Sequence, residues 1–314
     1  MYKLIVFWFL FLMSSSTVFA VQEIKKDTSY TVNSSFLKYK KKFPAIEIVK
    51  PKRFKNVTEK ATIKYKTLEN RNLYLDAFIN DSDKNPAVIL VHGGGWKSGN
   101  KSHMKPLAQV IASKGYSCFV IEYRLSDEAK YPAAIFDVKK AIQFIKENAK
   151  EFYVDTTKIA ILGASSGAQM ATLIGTTNNN LKFEENHQNQ VSSTVNAIIN
   201  LDGILAFKHP ESKEGKVASL WLGGTFNEKP TVWQEASALT HVDEKTPPIL
   251  FINSQYERFH AGRDDMIKIL DKYNIYNQVE TFPNSPHTFW LFHPYFNKTV
   301  HYITKFLDKT LKNK

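Results

Sequence analysis

Lys158-Ile-Ala-Ile-Leu runs straight into Gly163-Ala-Ser-Ser-Gly167, and the helical stretch from Ala168 to Gly175 follows at once. A short, wholly apolar run is the mark of a strand covered on both faces. Gly-x-Ser-x-Gly between such a strand and a helix makes a bend so tight that only small residues can enter it. The bend holds the central serine in a strained conformation and lifts its hydroxyl above the sheet. The helix that starts there aims its unpaired N–H groups at the same point. A chain that carries this junction is committed to an α/β layer arrangement with Ser165 at a strand end.

The rest of the pattern agrees. Thr62–Leu68 and Leu73–Ile79 read as an antiparallel strand pair. Ala87–Val91, Ser117–Glu122, Val195–Leu201, Pro248–Asn253 and Val279–Phe282 read as further strands. Helical periodicity covers Pro106–Lys114, Pro132–Lys150, Arg263–Tyr273 and Tyr295–Leu311. Pro132 opens its helix at the first turn, and Ala134, Val138, Ile142 and Ile145 share one face. Apolar strands alternating with helices predict a mostly parallel central sheet with helices on both faces. The polar, asparagine-rich stretch 178–190 reads as a surface loop.

Hydrophobic residues make up 43% of the 314-residue chain, enough for a large core and too many for intrinsic disorder. Lys3, the apolar run Leu4–Met13, and Val18 and Ala20 predict a signal peptide over residues 1–20. The apolar run is too short to span a bilayer. The mature chain is then expected from Val21, secreted or periplasmic, with no stable membrane span. Cys118 is the single cysteine, which excludes an internal disulfide framework, and its apolar surroundings predict a core thiol. The net charge of +12 raises the question of a polyanion partner. Residues 21–60 hold eleven Lys/Arg against four Asp/Glu, whereas residues 61–314 hold thirty against twenty-six. The excess is therefore a basic segment, 21–60, in front of a catalytic domain, 61–314. No nucleic-acid-binding motif accompanies it, so nucleic acid is not an expected partner.

Reactive groups in such sheets gather at the carboxyl ends of the strands. His92-Gly-Gly-Gly-Trp96 follows one strand. Glycines let backbone N–H groups approach a developing oxyanion, and Gly94 or Gly95 is expected to supply one donor and Ser166 the other. His92 reads as a hydrogen-bonder of this loop. Serine needs a base, and His287, in a short loop between the last strand and the closing helix, ends the order Ser…acid…His; His293 is the competitor. The acid is less clear. Glu257, just past the strand that ends near Asn253, comes first. Asp264 stands as the alternative if its loop folds back, and Asp202, after Leu201, is the outside candidate.

These motifs, with Glu122-Tyr-Arg, Tyr131-Pro-Ala-Ala and Pro286-His-Thr-Phe-Trp, make residues 60–314 similar to the α/β-hydrolase superfamily. Within it the chain resembles the secreted bacterial carbohydrate esterases, acetylxylan-esterase-like and pectin-acetylesterase-like, related to the hormone-sensitive-lipase and feruloyl-esterase branch. The resemblance implies Ser165 as nucleophile, His287 as base and the glycine loop as oxyanion hole. The serine chemistry needs no metal, and no His-Glu-x-x-His or zinc-like spacing appears, so no cofactor and no metal are expected. Relatives usually carry aspartate where Glu257 stands. The run Arg258-Phe-His-Ala-Gly-Arg-Asp264 looks like a stretch of some polysaccharide-linked members, which keeps Asp264 open.

The expected reaction is ester hydrolysis through an acyl-enzyme, with an acetylated oligo- or polysaccharide such as xylan or pectin as substrate. Trp96, Trp290, Phe289 and Trp221 are expected near the serine, where flat aromatic faces can meet sugar rings. Arg258 and Arg263 could meet a uronate carboxylate or pair with neighbouring acids. The alternatives are a short-chain lipase, esterase or arylformamidase on the same residues, or an inactive binding protein of hydrolase fold.

Overall fold

The computed structural model describes residues 27–186 and 191–312. The expected signal peptide, residues 1–20, lies outside them, as does part of the asparagine-rich loop.

The chain enters through α1 (Val32–Lys40) and β1 (Glu47–Ile48). It continues through β2 (Val57–Thr67), β3 (Asn72–Asn80), β4 (Asn85–Val91), α2 (Lys105–Ala112), β5 (Ser117–Ile121), α3 (Ala133–Glu147) and β6 (Val154–Ala164). Next come α4 (Ser166–Thr176), β7 (Ala197–Leu201), α5 (Gly215–Leu222), α6 (Pro230–Glu235), β8 (Ile249–Asn253) and α7 (Arg263–Lys272). The chain closes with β9 (Asn277–Thr281), β10 (Phe292–His293) and α8 (Tyr295–Leu307). Eight strands form one sheet in the order β2-β3-β5-β4-β6-β7-β8-β9. Only the β2–β3 and β3–β5 pairs are antiparallel; from β5 through β9 every pairing is parallel. This is the mostly parallel, helix-covered sheet that the apolar strands predict.

The strands lack polar alternation because both of their faces are covered. Ile89 and Ile161 point into a core shared with Val138, Ala141 and Met170 of α3 and α4. Val88, Leu90 and Leu162 point into a second core shared with Leu107 of α2 and Ile303 of α8. Fully burying one such side chain contributes about 1.5–3 kcal/mol. Cys118 lies buried in the second core, and burial pushes its thiol well above the usual range.

Two elements do not follow from the hydrophobic pattern. The basic amino-terminal segment does not stand apart, since Tyr39, Phe43 and Ile46 belong to the second core. β1 pairs antiparallel with β10, so the chain just after His287 runs beside the chain just after α1. Among the described residues no helix is long and apolar enough to cross a membrane.

Candidate active site

Ser165 sits between β6 and α4 at φ 54°, ψ −123°. A non-glycine residue held there costs about 1–3 kcal/mol, so the surroundings must impose it. They do. The Ser165 N–H donates to Leu201 O at 2.8 Å, and its own carbonyl accepts from Ala168 N at 2.8 Å and Gln169 N at 3.1 Å. A Cβ at Gly163 would lie 2.1 Å from Gly167 O, so glycine at 163 is what allows strand and helix to meet so closely.

Ser165 Oγ lies 2.8 Å from His287 Nε2, and His287 Nδ1 lies 2.6 Å from Asp202 Oδ2. An Nδ1–H that donates to a carboxylate leaves Nε2 as the acceptor for the serine hydroxyl. Asp202 follows β7 directly, at φ 55°, and is fully buried. Ser254 donates to it twice, from its backbone N–H at 3.0 Å and from its hydroxyl, and His260 Nδ1 lies 3.4 Å from Oδ1. Burial pushes the Asp202 carboxyl up. Hydrogen bonds from His260, His287 and Ser254, with the charge of the imidazole, outweigh burial and hold it below the ordinary aspartate value.

Glu257 is not at the imidazole. It lies exposed on the turn Glu257–Phe259, while the Nδ1 side of His287 is taken by Asp202. The reason is local. After β8 the chain spends Ser254 on Asp202, then turns so that the Phe259 ring stacks on His287, with centroids 3.4 Å apart. Asp264 is also displaced, as the first turn of α7 carries it outward into an ion pair with Arg263. The acid that reaches the histidine is the outside candidate of the sequence.

The glycine loop follows β4. Gly94 has φ 134°, and a Cβ there would lie 2.0 Å from Ser98 O. Gly94 and Gly95 border the same cleft as Ser165, and Ser166, the first residue of α4, borders a recess beside it. The backbone N–H groups of a first helical turn have no partner within the helix. His92 is buried; its Nδ1 lies 2.8 Å from Gly93 O, and its ring stacks on Tyr123 at 4.4 Å. His92 braces the loop from below.

Nearby His103 packs edge-on against Tyr30 with its Nδ1 buried, and burial pushes its pKa down to about 4. The unfolded chain therefore takes up this proton first as pH falls. His103 costs no stability above pH about 6.5 and progressively more from there down to about 4, up to roughly 3 kcal/mol. The melting temperature should drop over that window, and His103→Gln should flatten the drop. An unchanged pH dependence in the variant would count against this assignment.

The cleft above Ser165 has a volume of about 440 Å³. One wall is the amino-terminal segment, with Tyr30, Ser34, Lys38 and Tyr39, and the opposite wall holds Glu214, Val217 and Arg258. The recess holds only about 20 Å³ and is bounded by Trp96, Ile204 and Phe259. Two larger depressions contain neither Ser165 nor His287.

The aromatic expectations change in part. Trp290 is 2% exposed and packs edge-on against His287 and Phe289 rather than facing the cleft. Phe289 and Trp221 are buried in the same way. Trp96 is buried too: it stacks on Trp221 at 5.2 Å and donates from Nε1 to Gln169 at 2.9 Å, leaving only an edge to the recess. Arg258 does reach the cleft, paired with Glu214 at 3.2 Å, whereas Arg263 is spent on Asp264 and Asn253.

The model of the BD-FAE family matches residues 72–268, more than half of the chain. The chain belongs to the BD-FAE family. That match includes Ser165 and Asp202 but stops short of His287. Esterase LipC of Mycobacterium tuberculosis is 26% identical over 190 residues, 59% of this chain and 45% of that protein. The probable carboxylic ester hydrolase LipM of the same organism is 25% identical over 207 residues, 64% of this chain and 46% of that protein. The BD-FAE chain thus spans less than half the length of these two relatives. Among solved structures, a truncated carbohydrate esterase from gut microbiota aligns with TM-score 0.70 at 22% identity, over 82% of this chain and 99% of that one. Esterase Est2 of Thermogutta terrifontis aligns with TM-score 0.67 at 22% identity, over 84% and 96%. These likenesses establish the α/β-hydrolase fold.

Proposed function

We propose that this BD-FAE protein is a serine carboxylic ester hydrolase that removes acetyl groups from a polysaccharide such as xylan or pectin. The observation that carries the reading is the unbroken line Ser165–His287–Asp202, with contacts of 2.8 and 2.6 Å, opening onto a recess of about 20 Å³.

As the Ser165 oxygen bonds to the ester carbon, its proton passes to His287 Nε2, and Asp202 steadies the imidazolium. The carbonyl oxygen takes up the negative charge and is met by N–H groups of the Gly94–Gly95 loop and Ser166. One such donor is worth about 2.7–4 kcal/mol. Collapse breaks the bond to the alcohol, which leaves with the histidine's proton. Water then gives one proton to the same nitrogen as it attacks the acetyl-serine, the bond to Ser165 breaks as the serine oxygen takes that proton back, and acetic acid departs and ionises in solvent.

The recess supports a small acyl group. Roughly 10–15 Å³ of such space holds one water, so about 20 Å³ admits a methyl group and little more. The polar amino-terminal wall supports a hydroxyl-rich leaving group, and carbohydrate esterases share the fold. The apolar leader run supports export. A p-nitrophenyl ester series is expected to show acetate cleaved at least about tenfold faster than octanoate, since each methylene forced out of a pocket costs about 1–3 kcal/mol. Equal rates would remove the acetyl reading and favour an esterase without preference for acyl length. Acetate release from acetylated xylan and pectin, compared between wild type and Ser165→Ala, tests the polysaccharide directly.

A further inference from the structure

The amino-terminal segment touches both loops that the reaction needs. Its front end is tied to the glycine loop. Asp27 pairs with Lys97 at 2.9 Å, the Ser98 hydroxyl donates to Asp27 O at 3.0 Å, and Tyr30 N–H donates back to that hydroxyl at 3.0 Å. Its far end is tied to the histidine loop. β1 pairs with β10, and Val49 N–H donates to Leu291 O at 3.0 Å. Between these ends α1 is fixed by a capping box, in which Thr31 and Ser34 each accept from the other's backbone N–H at 2.9 Å. From α1, Ser35 Oγ reaches Thr288 Oγ1 at 2.6 Å, and both residues are 3% exposed. Tyr39, one turn further along α1, is buried and borders the same cleft as His287 and Thr288, and burial pushes its phenol up to about 12.

We propose that residues 27–49 form a clasp that joins the glycine loop to the histidine loop, with Ser35 as a positioning residue for His287. The proposal rests on the Ser165–His287 reading above. His287 has no regular element beneath it, since it lies between β9 and the short turn Phe289–Leu291. Its imidazole is held through the side chain by Asp202 and Phe259, and the residue that follows it, Thr288, is held by its hydroxyl from α1. A misplacement of about 1 Å from a change away from the chemistry can cost about 100-fold, so a bond that orients the residue beside His287 is worth about tenfold or more in kcat.

The test uses the full chain with p-nitrophenyl acetate, and turnover is counted per serine titrated by a fluorophosphonate, so that loss of folded protein does not enter the rate. Ser35→Ala and Thr288→Val should each lower kcat about tenfold with KM changed less than about twofold. Thr288→Ser, which keeps the hydroxyl, should stay near wild type. The double variant Ser35→Ala/Thr288→Val should be no slower than either single variant, because one bond is being removed. A kcat within about twofold of wild type in both single variants would overturn the clasp, as would full additivity. A wild type that neither turns over nor is labelled at Ser165 would instead remove the underlying esterase reading, and the clasp with it.

Discussion

Asp202→Asn is expected to lower kcat on p-nitrophenyl acetate about 10⁴-fold, the size of loss typical when the acid of such a triad is neutralised without a change of shape. Asparagine would keep an oxygen for the Ser254 N–H that now donates to Oδ1 at 3.0 Å. Its amide NH₂ would then face His287 Nδ1, which at present lies 2.6 Å from Oδ2. The imidazole must answer by becoming an acceptor at Nδ1, which puts its hydrogen on Nε2 and directs it at Ser165. A serine faced with a donor cannot lose its proton. Glu257→Gln supplies the contrast. That side chain is exposed on the turn after β8, so its kcat should stay within about twofold of wild type. Comparable losses in the two variants would mean that the acid is shared or misassigned.

The same pair of residues shows where the sequence stops informing. Chain order Ser…acid…His is satisfied by Asp202, Glu257 and Asp264 alike, so order cannot choose among them. The choice is made by packing. Asp202 follows a fully buried strand, β7, which lies beside β6, the strand that leads into Ser165. Ser254 and His260 arrive from the neighbouring strand end to hold its carboxylate, and the Phe259 ring stacks on the imidazole. None of these contacts is a pattern of periodicity. One signal was present: Leu201-Asp202-Gly203 is a polar residue at the carboxyl end of an apolar run, as Ser165 is.

The sheet was legible for a different reason. Its strands are buried on both faces, and continuous apolar runs such as Ala87–Val91 and Ile159–Leu162 leave no other account. The Gly163–Gly167 bend was legible because close approach allows nothing but small residues there. Helix α1 was not legible. Its composition is basic, and of its two buried residues, Ser35 and Tyr39, Ser35 finds its partner, Thr288, 253 residues away in sequence. Trp290 illustrates the reverse error: an aromatic beside a reacting histidine suggests a sugar platform, yet the ring supports the imidazole from the side.

Ser165→Ala is the larger of the two losses. Removing the hydroxyl removes both the bond to the acyl carbon and the proton that His287 handles, and such losses reach about 10⁶-fold in kcat, the residue above water coming from the oxyanion donors and binding. The central claim, that this one hydroxyl is a nucleophile, is tested most directly by mass spectrometry after reaction with a fluorophosphonate. The account predicts a single adduct on the peptide that carries Ser165, absent in Ser165→Ala and formed far more slowly in Asp202→Asn. An unlabelled Ser165 in folded wild-type protein, or an adduct that persists at another serine with turnover intact in Ser165→Ala, would contradict it.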